Sequence, residues 1–357
     1  MLLSVLDQSP IPEGATAADA LANTLDLARL ADELGYHRYW LAEHHGGPML
    51  AGNAPEVLIP SVAAATSRIR VGSGGVMLPH YSPFKVAEVF TLLAAMHPGR
   101  IDLGLGRAAG TDARTTYALQ RDRSKAMEDD FPQQLAELLG YLDGTLPQDH
   151  PFAALTNWLP EQRPDVWLLG SSQQSRIWAD EGGLRYAFAD FINPDGAAFA
   201  RPADAVAVWV VCAETEEEAQ RLASSSRMTF SLLRRGLLIP VPPPEKALRY
   251  LEEYGTPSGS RARRGVIGDA DQVRAGVEEI ARAYGATVTP HMYIIDASGV
   301  LVYKGGIDSI PSSNPNDIPK AKQYVRVALD EVLAGKPVME ASTQAYGCTM
   351  KYPRTST

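Results

Sequence analysis

Seven short apolar runs punctuate the first 213 residues, and each is followed by a connector or an amphipathic stretch of helical period. They are LLSVLD (2–7), YHRYWLAE (36–43), IRVGSGGVML (69–78), RIDLGLG (100–106), DVWLLG (165–170), LRYAFAD (184–190) and AVAVWVVCA (205–213). Helical segments are expected over Ala17–Leu34 (closed by Gly35), Pro55–Thr66, Pro83–Met96, 126–143 and Ser172–Glu181, and again after Glu214-Thr215-Glu216. Strand and helix alternating in this way specify a parallel sheet, because each crossover returns the chain to the same end of the sheet. So many repeats specify an α/β fold of TIM (β/α)8-barrel type. In such a barrel the strand ends meet on one face, and chemistry is done there.

Composition narrows the functional classes. The 357-residue chain has a formal net charge of −9 and no basic run, which argues against nucleic acid and anionic membranes as partners. No apolar run has the length of a membrane span. The start, MLLSVLDQSP, lacks a basic flank and reads as a first strand, not a secretory signal. Cys212 and Cys348 are the two cysteines, far apart, so neither a disulfide framework nor a Cys-ligated zinc site is expected, and the expected setting is cytoplasmic. Cys212 lies in an apolar run and is expected to be buried and inert.

The pattern breaks twice. Between strands six and seven stands only FINPDGAAFARPAD (191–204), which barely meets the roughly 10–12 residues of a parallel crossover. Pro194 and Pro202 confine any helix there to a turn or two. The second break follows Ala286. A helix from Asp269 to Tyr284 reads as the lead into a last strand. TVTPHMYIIDASGVLVYKGGID then offers two apolar runs joined by Ala297-Ser298-Gly299, the mark of an antiparallel hairpin. The barrel domain is therefore set at 1–286 and a C-terminal segment at 287–357. Met292–Ile295 is expected to fill the eighth strand position beside strand one, with a helix over about 318–333 covering it and the Thr289–Pro290 bond trans. PVPPPEKA (240–247) reads as a stiff connector.

Three strand ends carry unusual clusters. Glu43-His44-His45 closes strand two, and an imidazole titrating near neutrality suits proton exchange; the competing reading is a polar loop with two surface histidines. Gly74-Gly75 interrupts strand three and permits close approach of a planar ligand, or marks a bulge. Gly170-Ser171-Ser172 ends strand five, with Ser175 one turn on. Helix N-terminal amides and hydroxyls suit an anion such as phosphate, or cap the helix with nothing bound. Arg107, after strand four, supplies a counter-charge or is a surface arginine. Asp7 and Gln8 line the mouth or form a simple turn. Trp167, Trp178 and Trp209 read as packing residues. His80 and His97 make no metal-ligand spacing with the histidine pair.

The ordered series LSVLDQSP, LAEHH, GNAP, VGSGGVMLPHYSP, HPGRIDLGLGR and VWLLGSS resembles the bacterial luciferase-like family of flavin-dependent monooxygenases over about residues 1–286. The resemblance implies a TIM barrel and reduced FMN delivered by a separate flavin reductase. It implies oxygenation of a small organic substrate by molecular oxygen through a flavin C4a-hydroperoxide. By the same resemblance His44 matches the catalytic histidine, with Glu43 preceding it in the active-site loop. Gly74-Gly75 matches a non-proline cis peptide beneath the isoalloxazine, and Arg107 with Gly170, Ser171, Ser172 and Ser175 matches the phosphate contacts. A homo- or hetero-dimer is left open. A related branch uses a deazaflavin for hydride transfer, so a flavin- or deazaflavin-binding protein without oxygenase turnover is the first alternative. The segment from Val288, together with YGCTMKY, resembles the C-terminal half of a thioredoxin-like redoxin, which makes a thiol redox protein acting through Cys348 the second.

Overall fold

The seven apolar runs form parallel strands in chain order: β1 (Ser4–Asp7), β2 (Arg38–Leu41), β3 (Arg70–Met77), β4 (Ile101–Gly106), β5 (Asp165–Gly170), β6 (Arg185–Ala189) and β7 (Ala205–Ala207). Together they make a nearly closed parallel barrel. The computed structural model describes residues 2–107, 113–120, 123–124, 129–193, 196, 204–255, 265–284, 288–289, 292–295, 301–305, 322, 327, 331, 336–340 and 348–349. The chain divides into two units, Leu2–Val277 and Glu278–Thr357, the latter grouped with Met1.

Local chemistry sets the helix boundaries. α1 (Ala17–Glu33) opens on a reciprocal capping box between Thr16 and Asp19, and Gly35 follows its end at φ +77°. α2 (Pro55–Ala65) and α3 (Pro83–Met96) start with proline, whose missing N–H costs nothing at that position. α4 (Ala113–Leu119) and α5 (Phe131–Asp143) lie between β4 and β5, and α5 ends at left-handed Gly144. α6 (Gln173–Glu181) follows β5. Between β6 and β7 the described residues hold no α-helix, so the short crossover joins two directly paired strands.

One end of the strands is closed by charge. Asp102, fully buried on β4, accepts from Arg38 Nε (2.9 Å), Arg70 Nε (2.9 Å) and Trp40 Nε1 (2.9 Å). The Arg38 and Arg185 guanidiniums lie 4.7 and 5.3 Å from the Trp167 ring, and Trp40 meets Trp167 edge-on at 5.2 Å. A buried carboxylate is tolerated here because every lone pair faces a donor. Asp7 is also structural. It accepts from the Ser9 N–H (2.7 Å), the Thr24 hydroxyl (2.6 Å) and the Tyr39 hydroxyl (2.8 Å), joining β1, α1 and β2 as a turn anchor.

The seventh apolar run breaks at Val208, and its second half is β8 (Trp209–Cys212). After α7 (Glu216–Leu233) and α8 (Pro244–Tyr254), β9 (Gly265–Gly268) pairs parallel with β8, Trp209 opposite Gly265 and Cys212 opposite Gly268. β8 and β9 thus form a two-stranded sheet of their own, α9 (Ala270–Ala283) follows β9, and Met292–Ile295 pairs with neither β1 nor β7. This corrects the assignment of Met292–Ile295. Four residues, GVIG, are too short to carry a period, and Gly265 is required because a Cβ there would strike the Trp209 ring. The segment before α8 closes back on the loop after β1. Val241 and Ile11 share an N–H···O bond of 2.9 Å, and Lys246 pairs with Glu13 at 2.7 Å.

Cys212 is exposed, not buried, because strand alternation places it on the same outward face as Val210. In the C-terminal unit β10 (Val288–Thr289) pairs antiparallel with β13 (Cys348–Thr349), and β11 (Met292–Ile295) with β12 (Leu301–Gly305). The expected hairpin forms, and it is the partner Met292–Ile295 takes. Pairing across a short connector closes a far smaller loop than pairing with β1. Pro290, most of the helix expected over 318–333 and the Cys348 side chain lie outside the described residues. Among the described residues no helix is long and apolar enough to cross a membrane.

Candidate active site

Glycine shapes the end of β3. Ser73 faces Leu103 and Val76 faces Leu105, so Gly74 and Gly75 together oppose Gly104, which is a β-bulge. The Gly74–Gly75 peptide is cis, as the family resemblance implies. A Cβ on Gly74 would lie 2.6 Å from Leu6 Cδ1, and one on Gly75 would lie 2.8 Å from the Gly104 carbonyl oxygen, so neither position admits a side chain. Ser73, fully buried, repairs the ladder. Its hydroxyl donates to the Gly104 carbonyl (2.9 Å) and accepts the Gly104 N–H (3.0 Å).

Beside the bulge lies a titratable cluster. Glu43, two residues past β2, has no solvent exposure. Its Oε1 meets His45 Nε2 at 2.7 Å, and its Oε2 accepts the Met77 N–H at 2.9 Å. The Tyr81 hydroxyl also bonds Glu43; burial, then the charges of Glu43 and Glu56, push the Tyr81 phenol up. The His45 ring meets His80 edge-on at 5.8 Å. His44 is half-buried, and its backbone N–H donates to Gly52 O at 2.9 Å. Glu43 is therefore sealed among protein groups, and His45 is the histidine bonded to it. Thr115 of α4 and Leu238 lie against Gly46 and Gly47 of the same loop.

Arg107 and Ser172 both touch α6, but at different turns of it. The Arg107 guanidinium lies 5.4 Å from the Trp178 ring, while Ser172 caps the same helix. Arg107 is half-exposed and pairs with Asp129 at 3.2 Å. Ser172 Oγ accepts the Ser175 N–H (3.3 Å) and lies 3.1 Å from Ser175 Oγ. The Ser171 carbonyl accepts from Asn193 Nδ2 (2.9 Å), and a Cβ on Gly170 would collide with Ser175. The capping role of these serines is thus realised in the structure. Ser73, Tyr81 and Glu56 were not singled out in the sequence; Ser73 and Tyr81 lie inside VGSGGVMLPHYSP, which pointed toward them, and Glu56 had no such signal.

Comparison with known proteins identifies the family. The family model for luciferase-like monooxygenases matches residues 1–287. A luciferase-like monooxygenase of Escherichia coli (strain K12) is 40% identical over 301 residues, covering 78% of this chain and 87% of its own. The N-acetyl-S-alkylcysteine monooxygenase of Bacillus subtilis (strain 168) is 41% identical over 299 residues, covering 79% and 89%. Among solved structures, apo-MsnO8 superposes with a TM-score of 0.71 at 40% identity, over 80% of this chain and 89% of that one. The oxygenating constituent of a Pseudomonas putida diketocamphane monooxygenase, solved with FMN, shares the fold at a TM-score of 0.59 and 20% identity, over 80% and 89%. A barrel with its bulge and acid–histidine loop at the strand ends, matched over most of its length by these relatives, places the chain in the luciferase-like monooxygenase family.

Proposed function

We propose that this chain is an FMNH2- and oxygen-dependent monooxygenase of small organic substrates, with reduced FMN supplied by a separate reductase. Beyond family membership, one observation carries the reading: the buried Glu43–His45 pair stands beside the side-chain-free Gly74–Gly75 bulge. The Bacillus relative acts, by its name, on N-acetyl-S-alkylcysteines, which makes thioethers the substrate class to test first.

The donor set fits a flavin mononucleotide. A guanidinium at Arg107 and hydroxyls at the N-terminus of α6 suit a phosphate. The Arg107–Asp129 pair is exposed, and such pairs hold by only about 0–1 kcal/mol, so a phosphate displaces Asp129 readily. The bulge suits a planar ring, since no Cβ stands in its way. Bound reduced flavin supplies the electrons that activate oxygen. The remaining work belongs to the chain. His44 holds or moves a proton at its imidazole, Glu43 fixes the His45 ring and ties the loop to β3, and Thr115 with Leu238 pack against the loop.

The test is anaerobic titration with oxidised and reduced FMN, followed by turnover with a flavin reductase, labelled oxygen and a thioether panel. The expected result is substrate-dependent incorporation of one labelled oxygen atom. Flavin binding with reductant oxidation that ignores substrate would instead establish the flavin- or deazaflavin-binding alternative.

A further inference from the structure

The Glu43–His45 pair has a neighbour that neither the strand-end clusters nor the family match assigns. Glu56 stands in the first turn of α2, and its Oε2 is shut away from solvent with no hydrogen-bond partner. Glu43, by contrast, has both oxygens engaged, by His45 and by the Met77 N–H, with the Tyr81 hydroxyl as a further donor. The two carboxyls act on each other, and both act on His45. Two carboxylates sharing a dry cluster with one imidazole cannot both ionise cheaply. Donors favour the charged form of a carboxyl, and burial without a partner at Oε2 favours the neutral form of Glu56.

We propose that Glu56 is a positioning residue for the Glu43–His45 pair: as a neutral acid it leaves Glu43 the single anion of the cluster, so the imidazole is held against one negative charge and not two. The proposal rests on the reading of this loop as the reactive centre. Burial is the largest influence on Glu56 and pushes its carboxyl up; its own backbone N–H pulls it down, the Glu43 charge pushes it up, and His45 pulls it down. The facing groups are Glu43 and His45 from the loop after β2 and Tyr81 from the segment after β3, with His80 reaching the pair through the His45 ring.

The experiment is an infrared pH titration of the full-length chain carrying carbon-13 glutamate, without flavin. A protonated-carboxyl C=O band should persist above the ordinary glutamate range of about 4.3. It should vanish in Glu56→Gln, and its midpoint should move down in Glu43→Gln, where the neighbouring charge is gone. A band untouched by Glu56→Gln, or a midpoint unmoved by Glu43→Gln, overturns the proposal. Should Glu56→Gln fail to fold, Glu56→Asp replaces it, and an unshifted band is the refuting result. With turnover established, the kcat–pH profile of Glu56→Gln should lose one ionisation on its alkaline side; an unchanged profile refutes the positioning role. The infrared arm needs no flavin or substrate, so its failure is distinct from a failure of the monooxygenase reading.

Discussion

Replacing Ser73 by alanine tests whether the bulge at the candidate flavin seat is held by one hydroxyl. The Ser73 Oγ makes two bonds to the same residue, donating to the Gly104 carbonyl at 2.9 Å and accepting its N–H at 3.0 Å. Ser73→Ala removes both at a fully buried position, where the space left by one oxygen is too small for a water. A stranded buried donor or acceptor costs about 1–3 kcal/mol, so the pair should cost about 2–4 kcal/mol after partial relaxation. That is a large share of a domain stability of about 5–15 kcal/mol. Urea denaturation followed by tryptophan fluorescence should show a lower midpoint at unchanged slope. FMN and riboflavin should weaken alike, since the change lies at the ring seat and not at the phosphate. A stability loss below about 0.5 kcal/mol at constant slope would show that Gly104 finds other partners, and the bulge argument would fall.

Arg107→Ala should weaken FMN binding by about 1–3 kcal/mol and leave riboflavin nearly untouched; equal loss for both ligands removes the phosphate assignment. His44→Ala should keep FMN affinity and lose roughly 10²–10⁴-fold in turnover, and full activity at saturating reduced FMN and oxygen would refute its acid/base role. Asp32 tests the acid limb of stability. Burial works to raise its carboxyl, but the N–H groups of Ser67, Ile69 and Arg68 and the Ser67 hydroxyl outweigh it and hold it at about 2, against an ordinary 3.8. A folded value below the unfolded one means a stabilisation of about 2 kcal/mol, complete above about pH 4 and lost as the pH falls toward 2. Asp32→Asn should therefore lose about that much at pH 7, with the gap to the parent chain narrowing below pH 4; a gap independent of pH over that range contradicts the linkage.

Much of the fold was legible because it is written in local patterns. Short apolar runs bounded by turns announce β1 to β6, and Pro55 and Pro83 through their fixed backbone, with Ser172 through its capping hydroxyl, announce helix starts. The strand-end clusters could be placed on one face because parallel strands all end there. What the pattern did not reveal is long-range. β9 is four residues between polar stretches, and it becomes a strand only because β8 offers it a parallel edge with Trp209 against Gly265. Met292–Ile295 has the stronger apolar signal but pairs with the run that the nearby hairpin brings to it. Cys212 sits in an apolar run, yet the face it occupies is outward.

The same division holds at the site. Chain order alone could bring Glu43, His44 and His45 to a strand end, because neighbours in sequence stay neighbours in space. It could not say that Glu43 would be sealed, that His45 rather than His44 would bond it, or that Glu56, Tyr81 and Met77 would close around it. Ser73 bonding Gly104, and Asp102 gathering Arg38, Arg70 and Trp40, are likewise partnerships between different strands. Backbone propensity and hydrophobic period act over a few residues and are carried by the sequence itself. The exclusion of water around a charge and the partnerships between strands depend on groups far apart in the chain, as from Ser73 to Gly104 with a separation of 31, and only the folded sheet brings those groups together.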